Sequence, residues 1–139
     1  ELRCRPSLTR IKKMNNLVIT KEMLADRGIH MCTLREINSV VVLIGSSKFK
    51  HLFHQVAAIL EKNGILCLMM GFFQHADSVP VSDEERIMMT QVDYKRIDLC
   101  KEVWVISVDN YVGESTRNEI EYASYRQKLI RMINVSSGE

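Results

Sequence analysis

The chain has 139 residues, a formal charge of +2, 46% hydrophobic residues and 26% charged ones. That length and balance fit one globular domain rather than a disordered tail, and no apolar run approaches the ~20 residues needed to cross a bilayer. The near-neutral charge gives a weak overall field and argues against nucleic acid as a partner.

The opening "ELRCRPSLTR" has a basic start with no apolar segment after it, so it does not read as a secretory signal. The missing initiator Met reads as a processed chain or a fragment. Arg3, Arg5, Arg10, Lys12 and Lys13 make a locally basic arm, read as solvated rather than phosphate-binding. Next, "NNLVIT" reads as a strand and "TKEMLADRG" as a short capped helix. "IHMCTLREINS" is expected to be an edge strand or an appendage. Residues 1–39 are therefore set apart as an N-terminal segment, and residues 40–139 as an α/β domain.

From Val40 the alternation is regular. "VVVLIG" is a β-branched run ending in glycine, the pattern of a strand buried on both faces. "SSKFKHLFHQVAAILEKNG" follows as a helix, with Phe49, Phe53, Val56, Ala57 and Leu60 at helical spacing and Asn63-Gly64 as the stop. "ILCLMM" is a second strand. After a long connection, "SDEERIMMTQVDYKRIDLCK" is a helix with Ser82 and Glu85 at capping-box spacing. "EVWVIS", "TRNEIEYASYRQ" and "LIRMINV" complete the series as strand, helix and strand. Such alternation predicts an α/β fold, a small parallel sheet with helices on both faces. Cys4, Cys32, Cys67 and Cys100 show no CxxC spacing. They argue against a metal site or a disulfide, and for a reducing, cytoplasmic compartment. No cofactor is implied.

Three loops should meet at the carboxyl edge of the sheet, where α/β proteins bind ligands. In "GSSK", Gly45 allows a tight turn, and Ser46 and Ser47 precede a helix N-terminus. They either hold a sugar or phosphate or simply cap the helix. In "GFFQHADSVPVSD", Phe72, Phe73, His75 and Asp77 either stack and hydrogen-bond a planar base or fold back and lie in solvent. On the helix that follows, Met88, Met89, Val92, Ile97, Leu99 and Cys100 form a broad apolar arc on the helical wheel. Asp93 lies inside that arc. It either pairs with Arg96, one turn on, or faces a pocket where partial burial suits proton transfer. In "YVGESTRNEIEYA", Thr116 as N-cap puts Glu119 at the capping-box position. Against that bland role, Gly113 leaves backbone room for a ligand and Tyr122 lies one turn away. Glu121 points elsewhere, towards solvent.

The motifs "VVLIGSS", "DYKRIDLCKEVWVIS" and "GESTRNEIEYA" resemble the nucleoside 2-deoxyribosyltransferase-like family, which includes the 2′-deoxynucleoside 5′-phosphate N-hydrolases. The resemblance spans roughly residues 40–133. It implies a flavodoxin-like three-layer fold that cleaves or transfers at the N-glycosidic bond of a nucleoside or its 5′-monophosphate. It implies Glu119 as nucleophile and Asp93 as the proton-transfer group. Gly45 and Ser46, with Ser115, would contact the sugar or its phosphate, and a homodimer or larger homo-oligomer is implied. The chemistry agrees, because an oxocarbenium-like transition state needs one carboxylate at the sugar and one acid at the leaving group. The alternative is a module that binds or senses a nucleotide-derived ligand without turnover.

Overall fold

The computed structural model describes residues 16–70 and 80–138. Its strands are β1 (Val40–Gly45), β2 (Leu66–Met69), β3 (Glu102–Val108) and β4 (Leu129–Val135). Its helices are α1 (Lys21–Asp26), α2 (Met31–Glu36), α3 (Lys50–Lys62), α4 (Asp83–Leu99) and α5 (Glu114–Tyr125), with a 3-10 turn over Ser47–Phe49 before α3. All strand pairs are parallel and the sheet order is β2-β1-β3-β4. This is the flavodoxin-like order, and the α/β expectation holds.

Side-chain alternation along the central strands builds two cores. Val41 and Leu43 of β1, with Trp104, Ile106 and Val108 of β3, face α1, α2 and α3. Val42 and Ile44, with Val103 and Val105, face Ile97 of α4 and Ala123 of α5. Every residue of β3 is buried, which is why it reads as a continuous apolar run. Phe53 of α3 is fully buried, so truncation to Ala should cost about 3–5 kcal/mol. At the amino end of the sheet, the buried Glu102 carboxylate accepts from Trp104 Nε1 at 3.0 Å and from Arg131 Nε at 2.7 Å.

Local signals held where the interactions are local. Thr20 caps α1 by accepting from the Met23 amide, and Ser82 and Glu85 form the reciprocal capping box of α4. Four readings need correction. "NNLVIT" is not a strand: Leu17 and Ile19 bond to the Gln55 side-chain amide on α3 in place of a strand neighbour. "IHMCTLREINS" is not an edge strand but contains α2, and Ile29, Met31 and Leu34 join the same core as β1 and α3. The apolar arc of α4 is largely unburied, with Met88, Val92 and Leu99 at 64%, 41% and 72% exposure. The last turns of α4 pack on the sheet through Ile97 and Cys100, while earlier turns face a cavity through Arg86, Met89, Thr90 and Asp93. Finally, α5 begins at Glu114 with Gly113 as N-cap, three residues before the expected cap at Thr116. Thr116 is instead buried.

Candidate active site

Strand order reverses between β1 and β3: the chain leaves β1 for β2 on one side, and β3 lies on the other. Crevices form outside the carboxyl ends of strands at such a switch point. Here a cavity of about 510 Å³ opens there, lined by the β1–α3 turn, the β3–α5 loop and the facing sides of α4 and α5. Gly45 makes the first turn possible. Its φ is +149°, and a Cβ would collide with the Ile106 carbonyl oxygen and press on the Phe53 ring. Across the cavity, Asp109 and Asn110 both adopt positive φ. Their loop is tied to the β4 end, since Asn134 Oδ1 accepts from the Asn110 amide and the Asp109 carboxylate accepts from the Ser137 amide and hydroxyl.

Because α5 starts at Glu114, Glu119 lies deep in its second turn and cannot close a capping box. It is 6% exposed and lines the cavity, and its Oε1 is buried without a hydrogen-bond partner among the described residues. Burial, and secondarily the charge of Asp93, push its carboxyl up to about 8. Near neutral pH it is therefore mostly an acid.

Asp93 reaches the same cavity from α4, and its two expected placements, beside Arg96 and facing a pocket, occur together. It lines the cavity, and its Oδ1 accepts from Arg96 Nη1 at 2.7 Å. Burial raises its carboxyl, and Arg96 opposes that rise by charge and by hydrogen bond. Two carboxyl groups thus meet in one partly dry space, an arrangement suited to moving a proton between a ligand and the protein.

The remaining expected residues divide. Gly45, Ser46, Ser47, Gly113 and Ser115 line the cavity with Asp93 and Glu119. Ser46 Oγ is also the cap of the 3-10 turn, accepting from the Lys48 amide at 3.2 Å, so the capping role is real. Tyr122 is not brought to the cavity. Its hydroxyl lies 2.9 Å and 2.8 Å from the two Asp98 oxygens, and its ring stacks on Tyr94 with centroids 4.4 Å apart. Glu121 is exposed, as expected. Phe72, Phe73, His75 and Asp77 lie outside the described residues, as does the basic N-terminal arm.

Sequence reasoning missed two cations and two aromatic rings of the lining. Arg86 and Lys48 line the cavity, with Lys48 Nζ 4.3 Å from the centre of the Tyr111 ring, itself a lining residue. Tyr94 is the fourth. Arg86 was legible in principle, because it sits two turns before Asp93 on the same helical row. Lys48 and Tyr111 come from separate loops and share no local pattern.

A 2-desoxiribosyltransferase from Leishmania mexicana has a similar fold. The two structures superpose with a TM-score of 0.53 and 12% identity, over 69% of this chain and 64% of that chain. The likeness is one of fold, and this chain spans less than two thirds of that enzyme's length. No protein-family model matches the chain, and no curated protein matches it. Among the described residues, no group of three or more metal-binding side chains clusters, and no helix is long and apolar enough to cross a membrane.

Proposed function

We propose that the cavity cleaves or transfers at the N-glycosidic bond of a nucleoside or nucleoside 5′-monophosphate. The observation that carries this reading is Glu119, a buried carboxyl whose Oε1 has no partner among the described residues, in a cavity that also receives Asp93. The cavity's size suits a ligand of that class, and the fold is shared with a protein named as a deoxyribosyltransferase. In this reading the ionised Glu119 attacks C1′ as the C1′–N bond breaks. The bonding pair leaves with the base, whose nitrogen takes a proton from Asp93. Asp93 then removes a proton from water, which attacks C1′ and releases Glu119; an acceptor base in place of water gives transfer. Ser46, Ser47 and Ser115, with Lys48 and Arg86 nearby, offer donors and positive charge for a 5′-phosphate.

The reaction needs the pair to hold one proton, which the raised carboxyl of Glu119 supports near neutral pH. The same observation favours a second reading. A neutral Glu119 is also a hydrogen-bond donor, so the cavity can bind a nucleotide-derived ligand without turnover. Incubation with a panel of deoxynucleosides, ribonucleosides and their monophosphates, following free base and exchanged nucleoside by chromatography, separates the two. Base release or exchange is expected. Saturable binding with neither would establish the sensing reading in its place.

A further inference from the structure

Asp93 and Glu119 enter one cavity from neighbouring helices, yet among the described residues only Asp93 has a cation of its own. Arg96 is one helical turn on, a spacing that sets its guanidinium beside the Asp93 carboxylate at 2.7 Å. Both side chains are mostly buried, at 27% and 22% exposure, so solvent screens the pair only partly. Arg96 bonds Asp93 but is not itself among the residues that line the cavity. The other charged groups there are engaged or exposed. Arg86 bonds Asp83 at 2.9 Å, Lys48 lies over the Tyr111 ring, and Glu114 is exposed. None of them bonds Glu119 Oε1, which has no partner among the described residues.

We infer that Arg96 is a positioning residue, whose guanidinium decides which carboxyl of the cavity keeps the charge, holding Asp93 as the carboxylate and leaving the shared proton to Glu119. Two carboxyls in one low-dielectric space do not both ionise readily, and a short charge-assisted bond to one of them breaks the tie. The raised carboxyl of Glu119, with Asp93's charge among its causes, fits this order. The catalytic consequence rests on the reading above. Attack at C1′ needs the opposite arrangement, a charge on Glu119 and a proton on Asp93. Arg96 then keeps the empty site in its resting form until positive charge develops on the sugar.

The carboxyl order can be read without any nucleoside. ¹³C NMR of the full chain with labelled Asp and Glu, assigned through Asp93→Asn and Glu119→Gln, should show Asp93 ionising first and Glu119 last. In Arg96→Met, the Asp93 midpoint should rise by at least about one pH unit, as expected when a close opposite charge is removed. Glu119 should then fall. Arg96→Lys, which restores the cation, should return both midpoints towards the native order. If Arg96→Met does not fold, Arg96→Gln removes the charge while keeping a donor, and the same rise is expected. A merely structural Arg96 would lower melting temperature in these variants without moving either midpoint, and that result overturns the inference. So does Asp93 titrating last in the native chain. Failure of base release would sink the glycosidic reading and leave this titration untouched.

Discussion

Two glutamates of this chain are buried almost equally, Glu102 at 4% exposure and Glu119 at 6%. At the amino edge of the sheet, Glu102 receives an indole N–H and a guanidinium. At the carboxyl edge, Glu119 keeps an oxygen with no donor among the described residues and a carboxyl pushed up to about 8. Burial alone therefore does not mark a working acid. The distinction lies in satisfaction: partners make one buried carboxylate a structural strut, and without them the carboxyl of the other is raised.

The sharpest way to break this contrast is Glu119→Gln. If Glu119 is the nucleophile, base release should fall by at least about 10⁴-fold, roughly 5.5 kcal/mol in the barrier, with the fold intact by circular dichroism. Full activity in the Gln variant ends the covalent mechanism.

The same variant should change how stability depends on pH. Below about 4.5, folded and unfolded chains both hold the Glu119 proton. Between 4.5 and about 8 the unfolded chain releases it while the folded chain keeps it, so this group's contribution falls as pH rises and levels off above about 8. The loss is a few kcal/mol, with about 5 as the ceiling at ~1.4 kcal/mol per pH unit. Urea melts from pH 4 to 9 should therefore show Glu119→Gln gaining on the native chain as pH rises. Parallel curves would mean that Glu119 is not raised.

Arg131→Ala tests the other glutamate. It strands the Glu102 carboxylate and should cost about 3 kcal/mol, the low end for breaking a buried pair because Arg131 is partly exposed. Base release per folded molecule should stay within about twofold, since the site is at the opposite edge. Measured in one set of chemical melts and assays, a loss of activity without loss of stability would reverse the division of labour between the two edges.

The smallest effects come from two capping serines. Ser82→Ala removes a capping box outside the cavity and should cost about 1 kcal/mol with no change in substrate preference. Ser46→Ala removes a cap that also lines the cavity, so it should additionally narrow a preference for monophosphates over nucleosides. Identical relative rates on both substrate forms in native and Ser46→Ala proteins would count against phosphate contact there.

The Ser82–Glu85 box and the Gly45 turn were legible in the sequence because each depends on neighbours a few positions away. The start of α5 was not: Thr116 has the chemistry of a cap, but the helix continues back to Gly113 and buries it. Tyr122 was misassigned by the same limit. One turn from Glu119 along the helix, its hydroxyl is held by Asp98 of α4, and it stacks behind the lining residue Tyr94 without lining the cavity itself.

By itself the sequence determined the alternation of strand and helix, and with it the parallel sheet. Apolar periodicity and turn residues act over one or two turns of chain, and a parallel sheet is the architecture that such alternation can bury. It also put acidic residues on the two helices that flank the switch point. Only the tertiary structure decided which buried acids find partners. Glu102 is satisfied by Arg131, 29 residues on and in the neighbouring strand. Asp93 and Glu119 meet because α4 and α5 cover the same face of the sheet. Whether a buried carboxyl finds a donor depends on side chains that sequence distance does not relate, so that property belongs to the fold.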